Sequence, residues 1–193
     1  FTNPSTFEVP ENQLDVTTLT ATDADGDEVV FSKTGLDSAS FVLEQNSGLL
    51  RFNEAPDYET KSSYGLIAQA SDGNNVTEKE LFIAVSNVND NLPEITSGQV
   101  FTIDENEISV GNVIATDKDG DILDFSISGN ELTISSAGEL AFIEAANYEE
   151  KNIYEAVVSV TDGQNIIVQE KSIYYFSYRL CKYCIDTRQI FFT

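Results

Sequence analysis

The chain has 193 residues, a length that fits one large domain or two of about 100 residues each. It carries 33 acidic and 10 basic residues, no His, Met or Trp, and a formal net charge of −23. That balance argues against nucleic acid and anionic membrane surfaces as partners, because phosphate binding needs Lys and Arg clusters. With 41% hydrophobic and 10% aromatic residues the chain can build cores, so disorder is not expected. No apolar run reaches the roughly 18 residues of a membrane-spanning helix, and no basic-then-apolar leader is visible. Phe1 rather than Met stands first, so the chain reads as a fragment or a processed product. Without His, acid–base catalysis lacks its commonest group.

In chain order, the predicted elements are short strands. They cover residues 7–9, VTTLTA (16–21), EVVFS (28–32), SFVLE (40–44), LLRF (49–52), YGLIAQA (64–70) and KELFIAVS (79–86). Gly, Asn, Asp and Ser separate them, and no stretch has a helical period of useful length. The second half repeats the series with QVFTI, NVIAT, ILDFSI, ELTI, ELAFI, IYEAVVSV and IIVQEKSI. Core candidates are Val16, Leu19, Val30, Phe41, Leu50, Phe52, Ile67, Phe82 and Val85 in the first half. Val113, Ile114, Phe125, Leu140, Phe142, Val158 and Val160 are those of the second. Only one of the neighbours Val113 and Ile114 can face inward. Gly35, Gly48, Gly111 and Gly138 are turn formers.

The halves are copies. TATDADGD at Thr20 and IATDKDGD at Ile114 lie 94 residues apart, as do VPEN at Val9 and IDEN at Ile103. DYE at Asp57 and NYE at Asn147 lie 90 apart, as do ASDG at Ala70 and VTDG at Val160. Seven short strands in each copy predict an all-β chain of two tandem immunoglobulin-like Greek-key β-sandwiches. The expected domains are 1–93, 94–176 with an incomplete or aberrant last strand, and an atypical tail at 177–193. Acidic residues avoid strand interiors and gather in four loops per copy, where carboxylates about 4 Å apart repel by roughly 4 kcal/mol at an effective dielectric of 20. A cation would reverse that sign.

The join reads NVNDNLPEI (87–95). With VPEN (9–12), ATDADGD (21–27), FVLEQNSGLLRFNEAPDYE (41–59), AQASDG (68–73) and their second copies, it resembles tandem cadherin repeats, specifically the compact bacterial cadherin-like versions. The resemblance covers roughly residues 5 to 173. It implies calcium at the join between repeats, with Glu11, Asp57 and Glu59 supplied by the first copy. The linker would supply Asn87, Asn89, Asp90 and a carbonyl of Val88 or Asn91, and the second copy Asp117, Asp119 and Asp162. Calcium takes six to eight oxygens, which these residue types offer. Asn87 and Asn147 stand where the family usually has Asp. Asp23, Asp25 and Asp72 would face a preceding linker, and Glu105 and Glu149 a following one. One complete and two incomplete clusters are therefore expected. DADGDE and DKDGDI also space Asp at positions 1, 3 and 5 as an EF-hand loop does, but Gly falls at position 4 and strands flank the loop.

From Tyr174 the texture changes to YYFSYRLCKYCIDTRQIFFT, with four of the eight Tyr and both Cys. A last strand ending FTISVTD is what the repeat calls for, and a shifted reading frame can encode it, so a frameshift is the expectation. CKYC lacks further zinc ligands. On the resemblance, the chain is expected to be a non-enzymatic, calcium-dependent adhesion or spacer module, homophilic or heterophilic. Its parent protein is expected to be secreted or membrane-anchored at the cell surface, and its partners other cadherin-like repeats, a cell-surface protein or polysaccharide. The alternative is a carbohydrate-binding module, whose platform would need Tyr58, Tyr64, Tyr148 or Tyr154; these read better as packing. Paired carboxylates could serve a glycosidase, but they recur at repeat positions, which calcium ligation explains. Asn75-Val76-Thr77 is a glycosylation sequon that only a secreted eukaryotic chain would use.

Overall fold

A computed structural model of the chain describes residues 1–145, 147 and 149–176. The chain divides into two units, Phe1–Asp90 and Asn91–Thr193. The tail at 177–193, with its CxxC, lies outside the described residues.

The first unit holds seven strands: β1 (Thr6–Pro10), β2 (Asp15–Thr18), β3 (Val30–Thr34), β4 (Phe41–Leu43), β5 (Leu49–Phe52), β6 (Ser63–Ser71) and β7 (Val76–Ser86). One sheet has the order β1-β7-β6-β3 and the other β2-β5-β4. β1 runs parallel to β7, while β6 pairs antiparallel with both β7 and β3. In β6 and β7 alternate residues point inward, so Leu66, Ala68, Ala70, Leu81, Ile83 and Val85 are buried. They meet Leu19, Phe41, Leu50 and Phe52 from the second sheet in one continuous core. The architecture is the all-β, immunoglobulin-like sandwich read from the strand pattern.

Three core expectations fell on the wrong face. Phe82 is 49% exposed, and Val30 and Ile67 are only half-buried; Phe31, Leu66, Leu81 and Ile83 fill the core instead. The runs VVF, LIA and LFI are apolar on both faces, so the sequence leaves their parity open. Pairing decides it, with Phe31 opposite Ala70 and Leu66 opposite Leu81. In the second unit Val113 is buried and Ile114 is exposed.

The second unit contains β8 (Glu94–Ile95), β9 (Val100–Asp104), β10 (Ser109–Asn112), β11 (Ala115–Thr116), β12 (Asp124–Ile127), β13 (Leu132–Ile134), β14 (Glu139–Phe142), β15 (Ile153–Thr161) and β16 (Ile166–Phe176). Its sheets are β12-β15-β16-β9, β10-β14-β13 and the short pair β11-β8. β16 is described over 11 residues, the length of β7, and pairs with β15 on one side and with β9, in parallel, on the other. Backbone pairing is indifferent to the change in side-chain texture at Tyr174.

Two features fix the loops in both units. Gly48 and Gly138 adopt φ +73° and +79°, and a Cβ there would lie 2.2 Å from the Leu19 carbonyl and 2.1 Å from that of Val113. Only glycine allows both the left-handed backbone and the approach. Tyr64 packs edge-on to Phe41 and Phe52, and Tyr154 to Phe142 at 4.8 Å. Lys61 and Lys151 cap these tyrosines at 4.4 and 4.3 Å.

The units differ at one inward position. Lys171 occupies the place of Leu81 and is fully buried. Its Nζ donates to the Gly98 carbonyl at 2.7 Å, to Ser97 Oγ at 3.2 Å and to Gln169 Oε1. Around this polar intrusion the apolar core is split into two clusters, one on Leu140, Phe142 and Ile173 and one on Val113, Val158 and Val160.

Candidate metal centre

Each unit holds a carboxylate cluster bonded to its own part of the 87–91 stretch, Val88 in the first and Asn91 in the second. In the first unit the site begins at the turn after β1. Asn12 takes a left-handed φ of 65°, which Asn tolerates better than most residues; Asn106 repeats it at 66°. The Glu11 amide donates to the Ser86 carbonyl and the Asn12 amide to that of Pro56, both at 3.0 Å. Glu11 is thereby held under the chain and is only 3% exposed. Its Oε2 accepts the Tyr58 amide at 2.8 Å, and its Oε1 accepts the Val88 amide at 2.7 Å.

Asp57 opens the next turn. Its Oδ1 accepts the Thr60 amide at 3.2 Å and its Oδ2 the Thr60 hydroxyl at 2.7 Å. These bonds, led by that hydroxyl, hold its pKa below the ordinary aspartate value. Glu11, Asp57 and Glu59 each present a carboxylate oxygen, all within 4.8 Å of one another. Asn12 Nδ2 also donates to Asp90 Oδ2. Asn89 is half-buried, while Asn87, Val88 and Asp90 are exposed.

The second unit places Asp117, Asp119 and Asp121 in the loop between β11 and β12. These three carboxylates again lie within 4.8 Å of one another. Asp119 is 9% exposed, and its two oxygens accept the Asn91 amide at 2.8 Å and Asn91 Nδ2 at 2.6 Å. Asp117 Oδ1 accepts the Asp119 amide at 2.9 Å. Asp162 is 8% exposed; its Oδ1 accepts the Gln164 and Asn165 amides and its Oδ2 accepts Asn165 Nδ2 at 2.9 Å. Asp117 Oδ2 and Asp121 Oδ2 are buried and have no hydrogen-bond donor. Desolvation, then the charges of Asp117, Asp119 and Asp162, raise the pKa of Asp121 above the ordinary value.

Among the described residues the ion pairs are Lys61–Asp37 and Lys151–Glu131, both elsewhere. Buried carboxylate oxygens without a donor are costly, and clustered like charges add to the cost. A hard cation removes both penalties, and an all-oxygen donor set suits calcium, magnesium or manganese ions.

The structure therefore gathers Glu11, Asp57 and Glu59 on one unit, and ties Val88 and Asp90 to the same turn. On the other it gathers Asn91, Asp117 and Asp119, with Asp162 close enough to perturb Asp121. Val88 and Asn91 meet carboxylates through their N–H groups. Asp121 was missed by the sequence reading, although it is the third Asp of DKDGD. The matching loop of the first unit has similar backbone bonds but is more exposed. There Asp23 Oδ1 turns onto the amides of Asp25, Gly26 and Asp27, and Asp25 and Asp27 are exposed. Glu105 is half-buried where Glu11 is buried. As for a sugar platform, Tyr64 and Tyr154 are core residues, Tyr58 is 36% exposed, and Tyr148 lies outside the described residues.

Comparison with known proteins matches residues 5–86 to the Cadherin domain family model. Human protocadherin-15 is 33% identical over 157 residues, covering 75% of this chain and 8% of that protein. Drosophila melanogaster cadherin-99C is 34% identical over 160 residues, covering 77% of this chain and 9% of that protein. The chain thus spans less than a tenth of the length of these two relatives, both of which are animal proteins. In fold it resembles human protocadherin-24 EC1-2, with a TM-score of 0.76 at 19% identity over 91% of this chain and 95% of that one. Mouse cadherin-23 EC22-24 gives 0.78 at 18% identity over 89% of this chain and 63% of that one. Paired sandwiches, PEN, DYE and DxDGD loops at repeat spacing and these matches lead to one conclusion: the chain belongs to the cadherin-repeat family.

Proposed function

We propose that the chain is a calcium-dependent adhesion or spacer segment of a larger cell-surface or secreted protein, and that it performs no chemistry of its own. The observation that carries this reading is a carboxylate cluster in each unit, Glu11–Asp57–Glu59 in the first and Asp117–Asp119–Asp121 in the second. The first cluster contains the buried Glu11, and the second the donorless oxygens of Asp117 and Asp121. Glu11, Asp57, Glu59, Asn87, Asn89 and Asp90 would serve calcium on the first unit; Asp117, Asp119, Asp121 and Asp162 would serve it on the second. A carbonyl of Val88 or Asn91 would complete the set.

Without the ion, repulsion among these carboxylates loosens the linker. With it, the repulsion within each carboxylate group is neutralised and the loops that hold Val88 and Asn91 stiffen, which suits a segment that must project a binding surface away from a cell. Asn87, in place of the usual Asp, takes one negative charge from the set and weakens one site. Extracellular free calcium is high enough to fill sites of about 0.1–1 mM affinity. The partner on this reading is another cadherin repeat, of the same or a different protein.

Calorimetric titration with calcium, paired with thermal melts in calcium and in EDTA, tests the proposal. Binding of two or three ions with a rise in melting temperature is expected, and Asp90→Asn should remove most of that rise. A chain that binds nothing at about 10 mM calcium, roughly ten times the weak end of extracellular affinities, refutes it.

A further inference from the structure

The sequon Asn75-Val76-Thr77 has no part in the calcium reading, and the fold gives it a specific setting. It is the one Asn-X-Ser/Thr triplet of the chain without an intervening proline, since Asn3-Pro4-Ser5 is blocked by Pro4. It sits where the β6–β7 turn enters β7, and Asn75, Val76 and Thr77 are all exposed. Asn75 Nδ2 donates to Asp72 Oδ2 at 3.1 Å. The turn does not depend on that bond alone, because Asp72 Oδ1 also accepts the Asn74 amide at 2.8 Å and the Asn75 amide at 2.6 Å. A substituted Nδ2 keeps one hydrogen and so retains donor capacity.

The sister turn sharpens the point. Asp162 and Asn165 repeat the same bonds, yet the triplet there reads Asn165-Ile166-Ile167. Ile167 packs against the Val113–Val158–Val160 cluster. The fold therefore accepts an apolar residue at this place, and the first unit forgoes that packing by carrying Thr77. Asn165 is half-buried beside the Asp162 carboxylate, whereas Asn75 is open to solvent. A bulky, hydrated substituent fits the first turn.

We infer that Asn75 is an N-glycosylation site that carries an oligosaccharide over the β6–β7 turn of the first unit. The donor is a lipid-pyrophosphate-linked oligosaccharide. Asn75 Nδ2 forms the new bond to the anomeric carbon, the bond from that carbon to the pyrophosphate oxygen breaks, and Nδ2 gives up one proton as the lipid pyrophosphate leaves. This inference rests on the extracellular reading above, through the secretory route.

The test is secretion of the chain from a eukaryotic cell behind an added signal peptide, with peptide mapping before and after amidase release of N-glycans. Translation in the presence of microsomes gives a second readout that does not require folding. One glycan at Asn75 is expected, lost in Asn75→Gln and Thr77→Ala and kept in Thr77→Ser. An unmodified Asn75 in both readouts overturns the inference. Calcium melts on the same secreted material separate the two ideas. A calcium response with bare Asn75 removes the glycan site alone. A glycan without a calcium response removes the calcium reading and leaves the site.

Discussion

Glu11→Gln is the most informative single change. The carboxylate accepts two backbone amides, from Tyr58 at 2.8 Å and Val88 at 2.7 Å, and is 3% exposed. Glutamine has nearly the same shape but only one acceptor oxygen, so its NH2 group must confront one of those N–H donors. Losing one hydrogen bond to a charged acceptor costs about 1.5–3 kcal/mol. In a unit of this size each kcal/mol moves the melting temperature by about 4–8 °C, so a fall of roughly 8–16 °C is expected at 2 kcal/mol. The change also removes a charge beside Asp57 and Glu59. In EDTA that relief offsets part of the loss; in calcium it subtracts a ligand. Binding at 100 times Kd stabilises by about 2.7 kcal/mol, and the variant should forfeit most of this increment. Melts followed by circular dichroism, in EDTA and in calcium, measure both terms. An unchanged melting temperature in EDTA and calcium would refute the hydrogen-bond argument. A fall in EDTA with the calcium increment intact would leave Glu11 as a linker anchor and remove it from the ligand set.

Three further outcomes follow from particular residues. Asp121 has a raised pKa in the folded unit, so its contribution to stability is fully present below the unfolded value of 3.8 and lost as pH rises through the folded value. In EDTA the wild type should therefore gain on Asp121→Asn as pH falls from about 7 to about 4, and a gap that stays flat with pH contradicts this. Lys171 has the opposite linkage: burial lowers its pKa below 10.5, so the folded unit binds the proton less tightly than the unfolded chain. Against Lys171→Met, the wild type should gain stability as pH rises toward 10.5, and a pH-independent difference would show that the buried amine pays no charge penalty. Gly48→Ala should cost about 2 kcal/mol or more, because φ is +73° and the added Cβ lies 2.2 Å from a carbonyl oxygen. Gly73→Ala, with φ +94° and nothing within 4 Å, should cost only about 1 kcal/mol; equal costs for the two would refute the steric part.

The sequence by itself determined the repeat, the strand-rich sandwich and the loops in which carboxylates gather, because each is a local property. Turn residues, period-two apolar runs and acidic motifs at fixed offsets need no knowledge of distant contacts. It also contained the oxygen-donor chemistry, including the third Asp of DKDGD. What only the tertiary structure decided is which member of each local group matters. Leu81 and Ile83 rather than Phe82 face the core because β7 pairs with β6 in one register. Asp23 and Asp117 both turn an oxygen onto the amides of their own loops, yet Asp119 and Asp121 are buried or half-buried where Asp25 and Asp27 are exposed, and Asp117 and Asp121 each keep a buried oxygen without a donor. Glu11 is buried and Glu105 is not, although both follow β-strands in the same motif. Lys171 is an alternation-matched inward residue that splits a core its sister unit keeps whole. In each case the deciding quantity is desolvation by residues far along the chain, and that is set by packing rather than by the local pattern.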